Sequence, residues 1–150
     1  MRVSAKGEYA IRAMLDLALK YREGGESLVP IQDVARRQGI PQRYLEQVLL
    51  QLKRAGLLES RRGSSGGYRL SRPADQVTVG TVLRAVEDSV GGAGAARRGG
   101  AHGPDSMGDL SDLWREISEA VSAVVDRLTL DDLRRRAEDR RSKASPMYHI

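Results

Sequence analysis

The sequence predicts a mainly helical chain that carries one small β-hairpin. Three observations point to this. Apolar residues recur at helical spacing in several separate segments. The stretch LLESRRGSSGGYRLSRP, residues 57–73, reads as two short strands about a Gly/Ser tip, stopped by proline. A long apolar stripe then returns near the end of the chain, after a glycine-rich interval.

The first helix lies in SAKGEYAIRAMLDLALKYREGG. Ala10, Met14, Leu17 and Tyr21 form one stripe with Ile11, Leu15 and Ala18 beside it. Ser4 is placed to cap its start, and Gly24-Gly25 to stop it. After a short extended LVP, the segment IQDVARRQGI makes two helical turns with Ile31, Val34 and Ala35 inward and Gly39 as breaker. Pro41 opens the next helix, since proline is tolerated at a first helical position. There Leu45, Val48, Leu49 and Leu52 stand at i, i+3, i+4 and i+7, which buries that face. Gln42, Arg43, Glu46 and Gln47 lie opposite. The hairpin follows, then a short helix in TVGTVLRAVED.

Residues 88–109 hold seven glycines and no apolar period, so a flexible loop is expected. From residue 110, Leu110, Leu113, Trp114, Ile117, Val121, Val124, Val125 and Leu128 form a continuous stripe about five turns long. It either joins two copies of the chain or packs back onto its own domain. A final helix begins at Thr129, with Asp131 and Asp132 at its positive end. The expected organisation is a domain over 1–87, the loop over 88–109, dimerisation helices over 110–140 and a flexible tail over 141–150.

Charge is unevenly spread. The 150 residues carry a net charge of +5. Between Arg36 and Arg72, nine basic residues face only Glu46 and Glu59, a local +7 that leaves −2 for the remainder. A localised footprint of this sort suits a polyanion. With no cysteine, the chain has no disulfides, thiolate metal sites, cysteine-held clusters or thiol nucleophiles. Only two histidines are present, so the nucleophile–base constellations of an enzyme are missing. No apolar run reaches signal or membrane-span length, which leads to the expectation of a cytoplasmic protein.

The Gly/Ser tip could cradle a nucleotide or form a hairpin end laid on a nucleic-acid backbone. A cradle needs a helix after the glycines and a Gly-Lys-Ser/Thr sequence. Here an alternating strand, YRLSRP, follows instead, so the hairpin is favoured, with Arg61, Arg62 and Arg69 flanking its turn. Helix, strand, helix–glycine turn–helix and basic hairpin in this order make a winged helix-turn-helix. Its polar helix start suits the major groove, and its wing suits the neighbouring backbone. The competing reading is a plain surface hairpin with a solvated charge run.

The segments MRVSAKGEYAIRAMLDLAL and GIPQRYLEQVLLQLKRAGLLESRRGSSGGYRLSRPADQVTVGTVLRAVED resemble the bacterial Rrf-two regulators, in their cysteine-free, CymR-like branch. The most specific part is YLEQ followed by RGxxGGY and a proline-terminated strand. The resemblance implies a homodimeric transcription factor, most often a repressor, of cysteine or sulfur metabolism or of iron–sulfur assembly genes. Carried over by position, Gln42, Arg43, Tyr44, Glu46 and Gln47 would face DNA. Arg62, Gly63, Gly66, Gly67 and Tyr68 would form the wing, and Lys6 and Tyr9 would touch backbone.

Arg43 can donate two bonds to guanine, Gln42 or Gln47 can pair with adenine, and Glu46 can accept from cytosine. Against these roles stand an Arg43–Glu46 salt bridge within the helix and core packing of Tyr44. Cluster-binding members of the family place three cysteines in the loop after the fourth helix. Here that loop is VGGAGAARRGGAHGPDSM, so a cysteine-ligated iron–sulfur cofactor is not expected. The CymR-like likeness also suggests cysteine synthase as a partner, docked by Tyr148 and the terminal Ile150. The alternative function is a protein-interaction module acting through that tail with little specific DNA binding.

Overall fold

The computed structural model describes residues 4–24, 28–87 and 104–144. Its elements run α1 (Ala5–Gly24), α2 (Ile31–Gln38), α3 (Gln42–Arg54), β1 (Leu58–Arg61), β2 (Gly67–Leu70), a 3-10 turn (Ala74–Gln76), α4 (Val79–Val86), α5 (Pro104–Arg127) and α6 (Leu130–Ala144). This is a mainly α fold with a two-stranded antiparallel wing.

The organising element is α1, which packs against α2, α3, β2, α4 and α6. Its buried side follows the expected stripe at Ala10, Met14, Leu17 and Ala18, which are almost fully enclosed and joined by Ala13, while Ile11, Leu15 and Tyr21 are half-buried. Ser4 accepts the Gly7 amide at 3.1 Å, the capping bond anticipated from sequence. From α3 the four aliphatic residues Leu45, Val48, Leu49 and Leu52 are wholly buried. Each contributes about 1.5–3 kcal/mol by leaving water, which fixes the roll of α3 and so decides which side it shows to solvent.

The turn between α2 and α3 closes through Gly39, at φ 64°, with the Ile40 amide donating to the Ala35 carbonyl at 3.0 Å. Pro41 sits one residue before α3 rather than inside it, with an extended ψ of 127°. A second lock comes from Asp16, which is buried inside α1. Arg37 grips its carboxylate with two bonds of 3.0 and 2.9 Å, and Gln38 adds a third at 3.2 Å. A buried carboxylate needs such partners, and these hold the end of α2 against α1.

The C-terminal helices differ from expectation at both ends. α5 begins at Pro104, inside the segment expected to be loop, and α6 runs on to Ala144 rather than stopping near 140. The junction between them is a reciprocal cap. Thr129 Oγ1 accepts the Asp132 amide and Asp132 accepts the Thr129 amide, both at 3.0 Å. The Thr129 amide bond is the main reason the Asp132 carboxyl is held below its usual range. Leu130 behind this cap is fully buried, and Thr78 bridges to Thr129, so α6 returns to the head. Among the described residues, no helix is long and apolar enough to cross a membrane.

Candidate nucleic-acid interface

Burying the aliphatic side of α3 leaves its other side in water. Gln42, Arg43, Glu46 and Gln47 are exposed, as the sequence pattern anticipates, and Tyr44 is exposed beside them. Arg43 and Glu46 form no ion pair among the described residues, so the salt bridge that competed with a DNA role is not made. Tyr44 divides its contacts. Its ring meets Tyr9 edge to face, with centroids 5.3 Å apart at 79°, yet the residue stays 38% exposed. Such a pair braces α3 on α1 and leaves one side of the ring open. Tyr9 itself is half-buried against the core, and Lys6 is half-buried in the first turn of α1.

The wing pairs Leu58 with Leu70 and Arg61 with Gly67, leaving Arg62–Gly66 as its tip. Two glycines there have separate reasons. A side chain on Gly66 would run into the Arg61 carbonyl, so the tip can fold back only without one. Gly67, at φ 155°, lies against the Val29 backbone. That close approach lets Val29 add a third, one-residue rung, exchanging two 2.8 Å bonds with Tyr68. Tyr68 is therefore tied at its backbone and half-buried on the core, as part of the base of the wing. The exposed cations of the tip are Arg61 and Arg62, beside exposed Gly63.

The basic footprint is thinner than its residue count. Arg36 pairs with Asp33 at 3.3 Å, Arg37 with Asp16, and Arg69 with Glu59 at 2.9 Å. Arg43, Lys53, Arg54, Arg61, Arg62 and Arg72 remain exposed and form no ion pair among the described residues. Of these, Lys53 from α3 and Arg61 and Arg62 from the wing line one cleft, together with Leu50, Tyr68 and the start of α2 at Pro30 and Ile31. Sequence reasoning missed Leu50, which is 44% exposed in the middle of the polar side. Its position at i+7 from Arg43 was the available signal.

On α5 the apolar stripe stands open. Leu110, Leu113 and Val124 are 43–45% exposed, and Trp114, Ile117, Val121, Val125 and Leu128 are half-buried. The helix meets the head mainly at α4, where Arg84 grips Asp126 with bonds of 2.6 and 2.9 Å. That guanidinium holds the Asp126 carboxyl below its ordinary range. Tyr148 and Ile150 lie outside the described residues.

No group of three or more His, Asp or Glu suited to a metal occurs among the described residues. Residues 3–136 match the family described as "Rrf2: Iron-dependent Transcriptional regulator". The HTH-type transcriptional regulator IscR of Pectobacterium carotovorum is 41% identical over 133 residues, 89% of this chain and 79% of that protein. The solved structure of T. potens IscR superposes with a TM-score of 0.75 at 34% identity, covering 93% of this chain and 90% of that one. CymR, the global cysteine regulator of B. subtilis, gives a TM-score of 0.73 at 31% identity, over 89% and 96% of the two chains.

Proposed function

The chain belongs to the Rrf2 family and is a DNA-binding transcriptional regulator rather than an enzyme; on that premise we propose that it acts as a homodimeric repressor reading a partly palindromic operator. In this reading α3 lies in the major groove. Arg43, Gln42, Gln47 and Glu46 face base edges, while Arg61 and Arg62 at the wing hold the adjoining backbone. The observation that carries it is the exposed polar side of α3, without an ion pair among the described residues, on the helix whose Leu50 and Lys53 share one cleft with the wing cations Arg61 and Arg62. The Tyr9–Tyr44 pair joins the start of α1 to that surface, and Lys6, one turn before Tyr9, is proposed to touch backbone there.

Pairing of two copies runs along α5. Support comes from three large apolar side chains left exposed on one helix, in line with its half-buried neighbours. Domain use follows: residues 1–87 read DNA, helices within 104–144 join the copies, and 88–103 connect them.

An iron–sulfur cofactor held by cysteine does not fit this chain. The sequence offers no thiolate, whatever the family description says of iron. Its signal is therefore of another kind. The regulated genes we infer are those of cysteine or sulfur metabolism, by analogy with the cysteine regulator named above, or those of iron–sulfur assembly, as the family resemblance implies. Cysteine synthase is the proposed partner of the tail, through Tyr148 and Ile150; removing the last four residues should abolish its binding, and unchanged affinity would end that idea.

Selection of bound duplexes from a random pool tests the main reading. It should return one motif with half-sites one or more helical turns apart, bound about 10³-fold or more tighter than unrelated DNA. Equal affinity for all duplexes would contradict it.

A further inference from the structure

Among the described residues, the large apolar side chains left exposed fall on only two helices. Leu110, Leu113 and Val124 belong to α5, and Tyr44 and Leu50 to α3. A lone surface leucine is commonplace and carries little meaning. Leu50 is distinguished by its setting. Arg43, Gln47, Leu50 and Arg54 stand at i, i+4, i+7 and i+11, one stripe on the side of α3 away from the core, and all four are exposed. Glu46, four positions before Leu50, and Lys53, three after it, flank the stripe and are also exposed. Leu50 and Lys53 line one cleft with Arg61 and Arg62 of the wing and with Pro30, Ile31 and Gln32 at the start of α2.

Phosphate contacts gain nothing from an isobutyl group, so an exposed leucine in the stripe that continues from Arg43 and Gln47 calls for an apolar partner. Major-groove base edges offer one apolar group, the C5-methyl of thymine, and aliphatic side chains recognise it by contact. We propose that Leu50 is a specificity-determining residue that reads a thymine methyl in each operator half-site. This rests on the reading of α3 as the groove-entering helix, and adds to it an apolar term beside the hydrogen-bonding residues. Water leaves both the leucine and the methyl on contact, so the gain belongs to the methyl and not to the rest of the base.

The experiment uses the full-length protein and an operator obtained by random-pool selection. Each thymine is replaced singly by deoxyuridine, which removes the methyl and keeps every hydrogen-bonding group. Leu50 is exposed and alanine is a strong helix former, so Leu50→Ala is expected to fold normally. For the unaltered protein, one thymine position per half-site should weaken binding about fourfold on losing its methyl, and about fifteenfold when both half-sites are changed. Leu50→Ala should bind the thymine and deoxyuridine operators equally at that position.

Identical thymine-to-deoxyuridine losses in both proteins, or no loss in either, overturn the proposal. A uniform weakening of Leu50→Ala on every duplex also overturns it, since Leu50 would then only support the wing. Failure of the selection to return any motif removes this proposal together with the regulator reading, and differs from the other outcomes because no operator exists to substitute.

Discussion

Replacing Arg62 by alanine removes one exposed, unpaired cation from the wing tip and disturbs nothing else. Its guanidinium makes no ion pair among the described residues, so folding stability should not change. If each protomer places Arg62 on one phosphate, a dimer loses two such contacts. Each contact contributes about 0.9 to the slope of log affinity against log salt, so the slope should flatten by about 1.8. At 0.15 M salt that corresponds to roughly 30-fold weaker binding, on specific and unrelated duplexes alike. Fluorescence anisotropy from 50 to 300 mM salt measures both quantities. Arg62→Lys keeps the charge and should keep the slope. An Arg62→Ala slope equal to that of the unaltered protein, with thermal unfolding unchanged, would refute the placement of the wing on the backbone.

Arg37→Ala should act on stability instead. Among the described residues it leaves the buried Asp16 carboxylate with Gln38 as its remaining side-chain partner, at a cost of about 2 kcal/mol after allowing for the partly exposed arginine, or roughly 4–8 °C in Tm by circular dichroism; an unchanged Tm would contradict it. Leu113→Glu with Val124→Glu places charge on the open face of α5, and should shift the sedimentation coefficient from dimer to monomer while the far-ultraviolet spectrum stays the same. Asp126 has a depressed folded pKa through Arg84, so its contribution is present above the ordinary carboxylate range and is lost as pH falls through the folded value. Asp126→Asn should accordingly flatten the stability–pH curve below about pH 4, as read by urea unfolding at successive pH values; a curve of unchanged steepness would count against the clamp.

The parts of this protein that follow local rules were legible in its sequence. The aliphatic periods of α1 and α3, the capping Ser4 and Thr129, and the glycine turn at 39 all depend on neighbours within about seven positions. Non-local pairings were not legible. Nothing near Asp16 in the chain announces Arg37, and nothing near LVP announces that Val29 joins Tyr68 in the wing. Composition also misled. Glycine at 108 suggested loop where α5 has already begun. α6 extends through a polar segment that lacks an apolar period and carries pairs such as Arg134–Glu138 and Arg135–Asp131. For the candidate site, residue types were readable but their availability was not. Of nine cations counted in the basic segment, three are committed to carboxylates.

Chemical interference on the selected operator tests the groove assignment most directly. Dimethyl sulfate methylates guanine N7 in the major groove and adenine N3 in the minor groove, so each modification marks one groove. With α3 reading base edges through Arg43, N7-methylguanine within each half-site should block binding. Interference confined to adenine N3 would contradict the account.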